Sequence, residues 1–353
     1  MRVILPNPRG FCAGVRMAIE VVDQVVSLFP DRDIYVYHEI VHNRHVVTRF
    51  RDRGVKFVER VADIPRGSVV VFSAHGIPPS VRQEAADRDL TAIDATCPLV
   101  TKVHSAATRF ANRGFEILLV GHADHQEVIG TQGEAPDDTI VVESVEQVAK
   151  LKVRDEDRLT YLTQTTLSTD DASDIVRALR ERFPNLHEPS SSTICYATTN
   201  RQHAVRQIAP KVDVTLVVGS RNSSNSVRLT EIAESAGSPG YLIDDASEID
   251  QSWFPKGGDS TVLVTAGASA PEDLVAGVCR DLLERFGGQL ERWDVIDEDV
   301  EFALPGALRK ILRESGGADE QASIVISSSE VDEELYGAVP LTVSARSTPP
   351  TTI

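Results

Sequence analysis

Three cysteines occur at intervals that suggest one shared site. Cys12, Cys97 and Cys195 lie 85 and 98 residues apart. Each stands between an apolar segment and a stretch with helical periodicity, which predicts a thiol at the carboxyl end of a strand and at a helix N-terminus. Unpaired N–H groups there lower the pKa of a thiol. Three such thiolates could bind a soft metal or an iron–sulfur cluster, although three unrelated buried cysteines would give the same sequence.

The cysteine pattern narrows the kind of metal site. The chain has no Cys-x-x-Cys pair, which argues against a common zinc knuckle. A 4Fe–4S cluster usually takes four cysteines, so three ligands would leave one iron open to a substrate. The fourth cysteine, Cys279, has apolar neighbours at helical spacing and is predicted to be a core residue.

Polar side chains that could hold a ligand follow several predicted strands. Ligands of open α/β sheets bind beyond the carboxyl ends of the strands. The sequence lacks both GxxxxGK[ST] and GxGxxG, so the pattern favours a small anion over a nucleotide. Each cluster alone could equally be a helix N-cap. The candidates are His75, His125, Thr165, Ser223, Ser224, Asn225 and Ser269.

Glu127 follows His125 by two residues, in a loop that opens a predicted helix. One interpretation is a solvated first-turn glutamate that complements the helix dipole. The other is a proton donor, since a carboxyl group with a raised pKa can deliver protons at neutral pH.

Short apolar strands alternate with amphipathic stretches along most of the chain. Apolar residues recur every three or four positions over 15–29, as in a helix that packs on a sheet. This alternation indicates an α/β fold with mainly parallel sheets. Further helices are predicted over 172–183 and 274–286, and strands over 3–5, 34–37, 69–72, 117–120, 140–142, 159–162, 215–218 and 262–264.

The cysteine intervals also predict the domain organisation. Each interval matches the length of a small α/β lobe, and three similar lobes around a pseudo-threefold axis would direct the three thiols to one centre. The final segment is rich in Ser, Gly, Thr, Pro and acidic residues, which favours a mobile or loosely docked tail. The predicted lobes are 13–96, 97–194 and 195–285 with 1–12, followed by a C-terminal segment 286–313 and the tail 314–353.

Composition excludes several classes of protein. The 353 residues carry 36 basic and 53 acidic side chains, a net charge of −17, which argues against a nucleic-acid binder. No apolar run approaches the ~18 residues of a membrane span. The N-terminus lacks a signal-peptide layout, so we expect a cytoplasmic protein with reduced thiols.

Nine segments together resemble one known family over roughly residues 1–310. They are PNPRGFCAGVRMAI, HEIVHNRHVV, FSAHG, DATCPLVTKVH, GHADHQEVIGT, TQTTLS, ICYATTNRQ, VGSRNSSNS and TAGASAP, in this order. They look like those of the 4-hydroxy-3-methylbut-2-enyl diphosphate reductases, the LytB-type family. The resemblance implies an α/β trefoil around one oxygen-sensitive 4Fe–4S cluster. It also implies the last step of the methylerythritol phosphate route to isoprenoids, a two-electron reductive dehydroxylation that gives isopentenyl and dimethylallyl diphosphate.

The same resemblance implies a role for individual residues. Cys12, Cys97 and Cys195 would ligate the cluster, whose open iron would bind the substrate's hydroxyl oxygen. Glu127 would deliver protons, with Thr165 in its hydrogen-bond network. Ferredoxin or flavodoxin would donate the electrons. The diphosphate would be held by His42, His75, His125, Ser223, Asn225 and Ser269, with Ser224 close by.

The chain departs from the family pattern in two places. Gln126 stands where many members have proline, which would leave the loop before Glu127 more mobile. The chain also continues about 40 residues past the usual family end, so the resemblance does not cover the tail.

Two other function classes fit parts of the pattern. One is a non-redox sugar- or phosphate-binding protein with buried cysteines, and the other is a zinc hydrolase that uses the three thiols. Iron, sulfide and zinc analysis of anaerobically purified protein distinguishes the three hypotheses.

Overall fold

The computed structural model describes residues 1–315, 325–327, 336 and 341–344. The fold is α/β, as predicted, and is built on three parallel sheets of six, four and three strands. Strands such as Val69–Phe72 and Val214–Val218 are buried along their whole length. Continuous apolar runs of this kind are typical of parallel sheets that are covered on both faces.

The four-stranded sheet occupies the first part of the chain. Its order is β3-β2-β4-β5. The first strand of the chain, β1, belongs to a different sheet, but the helix that follows it packs on this one. The elements are β1 (Arg2–Asn7), α1 (Ala13–Leu28), β2 (Ile34–Tyr37), α2 (Arg44–Asp52), β3 (Lys56–Val58), β4 (Val69–Phe72), α3 (Pro79–Asp87) and β5 (Thr91–Asp94).

The three-stranded sheet follows, with the order β7-β6-β8. Its strand β6 is entirely buried between flanking helices. The elements are α4 (Pro98–Ala111), β6 (Glu116–Val120), α5 (Gln126–Gly133), β7 (Thr139–Val142), α6 (Val145–Val148), β8 (Leu159–Thr163) and α7 (Thr169–Arg182).

The six-stranded sheet contains the first strand of the chain and the last strand that the structure describes. Its order is β10-β9-β11-β1-β12-β15, so the N-terminal strand lies at its centre. Cys279 is buried in the core beneath this sheet, as predicted. The elements up to β12 are α8 (Tyr196–Ile208), β9 (Val214–Val218), α9 (Ser224–Ser235), β10 (Gly240–Ile243), β11 (Thr261–Ala266), α10 (Glu272–Phe286) and β12 (Gln289–Asp294).

The C-terminal segment connects the six-stranded and four-stranded sheets. After β12, the chain crosses to helix α1, where Leu304, Leu308 and Leu312 enter the same apolar core. The elements here are β13 (Glu301–Ala303), α11 (Gly306–Glu314), β14 (Val325–Ser327) and β15 (Leu341–Ser344).

Strands β14 and β15 and residue Tyr336 belong to the segment 314–353, for which a mobile or loosely docked tail is expected. Strand β14 pairs antiparallel with β13, and β15 pairs parallel with β12. Tyr336 is 1% exposed, donates a hydrogen bond to Glu272 and accepts one from Arg9. These contacts cannot be recognised from the polar-rich composition. A short strand that pairs with an existing strand needs no amphipathic segment next to it in sequence. The rest of the tail lies outside the described residues.

The expected strand before Cys195 is also absent from the described residues. Only one bridge forms in that stretch, between Thr160 and His187. The Thr193 hydroxyl accepts the Thr163 N–H at 2.8 Å. This N–H therefore bonds a side chain instead of the backbone carbonyl of a neighbouring strand. Cys195 is therefore carried to its helix by a loop that runs along the end of β8.

None of the helices in the described part of the chain is both long enough and apolar enough to cross a membrane.

We expect Tyr336→Phe to lower the free energy of unfolding by about 1–2 kcal/mol, because Arg9 and Glu272 would lose a buried hydrogen-bond partner. Urea unfolding measures the change. Tyr161→Phe is the matched control, since its hydroxyl bonds the exposed Glu188 and its loss should cost no more than about 0.5 kcal/mol. Equal effects of the two substitutions would contradict the docking of Tyr336.

Candidate functional site

One cavity lies where the carboxyl ends of strands from all three sheets meet. Every residue predicted to ligate a cluster, deliver protons or hold the ligand lines it, although these residues come from positions as distant as 12 and 269. The cavity lining includes Cys12, His42, His75, Cys97, His125, Glu127, Thr165, Cys195, Ser223, Ser224, Asn225 and Ser269.

The three cysteines occupy equivalent positions in the fold. Cys12, Cys97 and Cys195 are the N-cap residues of α1, α4 and α8. Gly14 lies between two of them, and a Cβ atom there would stand 2.5 Å from Cys97 Sγ and 3.9 Å from Cys12 Sγ. The absence of a side chain at Gly14 thus lets these two sulfur atoms face the same space.

The pKa values of the thiols differ from the sequence-based expectation. The backbone N–H groups at each helix start do lower the pKa, but burial raises it more in all three cases. The charge of the Cys12 thiolate raises the pKa of Cys97 and of Cys195 further, and the pKa of Cys195 reaches about 11. Desolvation and mutual repulsion therefore favour neutral thiols, and a bound cation would favour the thiolates.

The arrangement of the thiols suits a cluster better than a single ion. Among the described residues, no group of three or more His, Cys, Asp or Glu side chains converges closely enough to bind one metal ion. A zinc site needs its ligands on one atom, whereas the cysteines of an iron–sulfur cluster bind separate irons. Three half-buried thiols that line a shared cavity fit the second case.

Glu127 lies in the first turn of α5 and is 2% exposed. Its carboxyl group accepts the Thr165 N–H at 2.6 Å and the Thr165 hydroxyl at 2.9 Å. Burial raises the pKa of Glu127 to about 7, although the hydrogen bonds from Thr165 oppose the shift. The solvated first-turn glutamate is excluded by this burial, and the carboxyl group can exchange a proton at neutral pH.

Gln126 opens helix α5 at its first position. Proline is favoured at that position because its missing N–H has no helical acceptor there. In this chain the helix begins with glutamine. His125 caps it by accepting the Glu127 N–H through Nδ1 at 3.1 Å.

Three imidazole rings form one wall of the cavity. His42 stacks on His75 with ring centroids 3.9 Å apart, and His125 lies edge-on to both. Burial, together with charge on the neighbouring rings, lowers the pKa of His75, and burial lowers that of His125 to about 4. His125 accepts a hydrogen bond through Nδ1, so its neutral ring carries the proton on Nε2 and can donate it to a ligand.

Small polar side chains also line the cavity. The hydroxyls of Ser223 and Ser269 lie 3.2 Å apart, and Ser269 also donates to the His42 carbonyl at 2.9 Å. Asn225 is 3% exposed, yet neither its amide nitrogen nor its oxygen has a partner in the described part of the chain. Buried polar groups are almost always hydrogen-bonded, so an orphaned amide in a cavity indicates a ligand.

The electrostatics of the cavity differ from those of the whole chain. Among its described lining residues, Glu127 is the sole carboxylate, and lysine and arginine are absent. The N-cap residues of helices α1, α4, α5, α8 and α9 all line the cavity, so the positive ends of five helix dipoles lie there. Such helix starts bind anions without a formal positive charge. A neighbouring opening that shares His42, His125 and Ser224 adds Arg221 and Arg228 at its rim.

Sequence reasoning missed several lining residues. Thr198 is one of them, and its hydroxyl lies 3.1 Å from Cys195 Sγ while its N–H also contacts that sulfur. Tyr196 accepts the Ala13 N–H at 3.4 Å and links α8 to α1. The i+3 spacing of Thr198 from Cys195 was the available signal, whereas Phe302 enters the cavity from the C-terminal segment without any sequence cue.

Comparison with families and sequences gives consistent matches. The family model described as LytB protein matches residues 3–283. A protein of Idiomarina loihiensis is 51% identical over 312 residues, covering 88% of this chain and 98% of the relative. One of Mycobacterium ulcerans is 51% identical over 309 residues, covering 87% and 92%. Both carry the name 4-hydroxy-3-methylbut-2-enyl diphosphate reductase.

Two solved structures also match. The E-1-hydroxy-2-methyl-but-2-enyl-4-diphosphate reductase from Plasmodium falciparum gives a TM-score of 0.86 at 39% identity, covering 89% of this chain and 98% of its own. A second structure, (E)-4-hydroxy-3-methyl-but-2-enyl diphosphate reductase, described as the terminal enzyme of the non-mevalonate pathway, gives 0.58 at 31% identity, covering 80% and 99%. The family match spans most of the chain, and the alignments with relatives at about 50% identity span nearly the whole length of those relatives. This chain therefore belongs to the LytB protein family.

Proposed function

We propose that this chain is a 4-hydroxy-3-methylbut-2-enyl diphosphate reductase, which forms isopentenyl and dimethylallyl diphosphate in the last step of the methylerythritol phosphate pathway. The observation that carries the proposal is the shared cavity, which combines three thiols, a buried carboxyl group and a wall of neutral anion-binding groups. The reaction uses two electrons and two protons. One proton leaves with the allylic hydroxyl as water, and the other adds to the carbon chain.

The three thiols are the proposed ligands of one 4Fe–4S cluster with an open iron. Their support is the fit described above: the half-buried side chains of Cys12, Cys97 and Cys195 line one cavity, and a bound cation would offset the repulsion between their thiolates. When bound, such a cluster supplies electrons and a Lewis-acidic iron. The lobes 13–96, 97–194 and 195–285 with 1–12 form the proposed pseudo-threefold trefoil, and the three parallel sheets support this division.

The polar walls are the proposed diphosphate site. The donors to the diphosphate would be His42, His75, His125, Ser223, Ser224, Asn225 and Ser269. A diphosphate held by these groups and by the adjacent helix N-termini fixes the allyl end of the substrate toward the cysteines. The bond between carbon and the allylic hydroxyl is then cleaved within one complex, in which the reacting groups are already oriented.

Glu127 is the proposed proton donor, and Thr165 its positioning residue. The two hydrogen bonds from Thr165 hold the carboxyl group in one orientation within the cavity. The raised pKa keeps a large share of Glu127 protonated near neutral pH, so a proton is available when the hydroxyl leaves.

The remaining proposals concern partners and location. A one-electron carrier of the ferredoxin or flavodoxin class is the proposed donor, and the cytoplasm is the proposed location, because thiols remain reduced there. The net charge of −17 argues against a nucleic-acid partner.

Metal analysis tests the proposal directly. We expect anaerobically purified protein to be brown and to contain about four irons and four sulfides per chain. Cys195→Ser should lose most of this content, whereas the core variant Cys279→Ser should keep it if it folds. Protein that stays colourless after iron–sulfur reconstitution would indicate the binding-protein alternative, and stoichiometric zinc would indicate the hydrolase.

Glu127→Gln should lower turnover by about 100-fold or more while cluster content and substrate binding stay close to those of the wild type. The wild-type rate should decrease as the pH rises through about 7, because the protonated carboxyl group is the donor. Rate measurements across the pH range check both statements. A variant that turns over at the wild-type rate would contradict the proton-donor role.

Asn225→Ala should leave the free energy of unfolding unchanged or raise it, because it removes a buried amide that lacks a partner. The same change should weaken the binding of inorganic pyrophosphate by about 10-fold. Asn43→Ala is the matched control for stability: Asn43 caps α2, and its loss should cost about 1 kcal/mol. Calorimetry and urea unfolding measure both quantities, and a clear loss of stability in Asn225→Ala would contradict the assignment.

A further inference from the structure

Arg201 is a fully buried guanidinium between two of the proposed cysteine ligands. It lies in α8 and has 0% of its surface exposed. Its Nε and Nη2 donate to the Gly10 carbonyl at 3.0 and 2.8 Å, and its Nη1 donates to the Ala197 carbonyl at 3.0 Å. Gly10 stands two residues before Cys12, and Ala197 two residues after Cys195. One side chain therefore ties the loop of one thiol to the helix start of another.

The charge of Arg201 is balanced by a buried partner. Glu298 accepts from Arg201 Nη1 at 3.0 Å, and the two side chains are 0% and 2% exposed. Asn200 also donates to Glu298 Oε1, while Glu298 Oε2 has no partner in the described residues. Burying an ion pair is expensive, and apolar residues of similar volume often stabilise a fold better. Stability alone therefore gives no reason for charges at this position.

We propose that Arg201 is a positioning residue for the cysteine site, and that the Arg201–Glu298 pair sets the local charge felt by a cluster bound there. The guanidinium fixes Cys12 relative to Cys195 through the two carbonyls. It also places a permanent positive charge in a low-dielectric interior, where charges act strongly over short distances. The inference rests on the proposed function, because it concerns the cluster that the thiols would hold.

The two roles make different demands on the side chain. Positioning needs the planar fork of arginine, which bonds two carbonyls at once, and lysine cannot reproduce it. The charge effect needs only a cation. Removal of the positive charge disfavours the added electron and makes the reduction potential more negative. Removal of the negative charge of Glu298 has the opposite effect.

Four variants separate these roles: Arg201→Gln, Arg201→Lys, Glu298→Gln and, as the matched control, Arg206→Gln. Arg206 lies in the same helix but pairs with the exposed Asp170. Each full-length protein is purified anaerobically, its iron and sulfide are counted, and the midpoint potential of the bound cluster is measured by a spectroscopic redox titration. Thermal unfolding reports whether each variant is folded.

We expect Arg201→Gln to retain about 10-fold less iron than the wild type, with a more negative potential in the loaded fraction. Arg201→Lys should also lose iron but keep the wild-type potential. Glu298→Gln should keep its iron and show a more positive potential, and Arg206→Gln should match the wild type in both measurements.

Two results would overturn the inference. One is a folded Arg201→Gln protein with wild-type iron content and potential. The other is a shift of the Arg201→Gln and Glu298→Gln potentials in the same direction, which a merely structural role of the pair would produce. Wild-type protein that binds no cluster would refute the proposed function itself, and the inference with it, so the two failures are distinct.

Discussion

The convergence of three half-buried thiols on one cavity is the constraint on which the rest of the structure depends. Cys12, Cys97 and Cys195 each cap a helix, yet desolvation raises the pKa of all three thiols, and the charge of Cys12 raises the pKa of the other two further. A bound cation would supply what the helix N-termini do not, because the desolvation of a thiolate outweighs the effect of a few N–H groups. The three sheets accordingly meet with their carboxyl ends toward one another, which brings the thiols together and leaves the space between them open.

The same architecture reconciles an acidic protein with an anionic ligand. The net charge is −17, but the cavity contains helix starts, imidazoles, hydroxyls and an orphaned amide rather than acidic groups, Glu127 excepted among the described residues. Short-range hydrogen bonds in a buried site are screened much less than the distant surface charges. The hydrogen-bond donors in the cavity therefore decide which ligand binds, while the distant surface charges affect mainly how fast a ligand approaches the protein.

The C-terminal segment connects parts of the molecule that the three sheets leave separate. Its helix α11 packs against α1, its residue Phe302 lines the cavity, and its residue Glu298 neutralises Arg201 behind the cysteines. Tyr336 then closes a buried cluster with Arg9 and Glu272 beside the Cys12 loop. Residues that follow strand β12 in sequence thus support the first loop of the chain.

The sequence by itself determined the fold class, the positions of most strands and the candidate residues that the cavity brings together. Residues that follow parallel strands must share one edge of a sheet, so local patterning was enough to select His75 and Ser269, whereas the choice for Glu127 depended on the family resemblance. Only the tertiary structure decided the state of these groups. The pKa of Glu127, the orphaned amide of Asn225 and the buried Arg201–Glu298 pair all depend on desolvation by residues that are remote in sequence. Burial is a property of the assembled fold, and no short stretch of sequence encodes it.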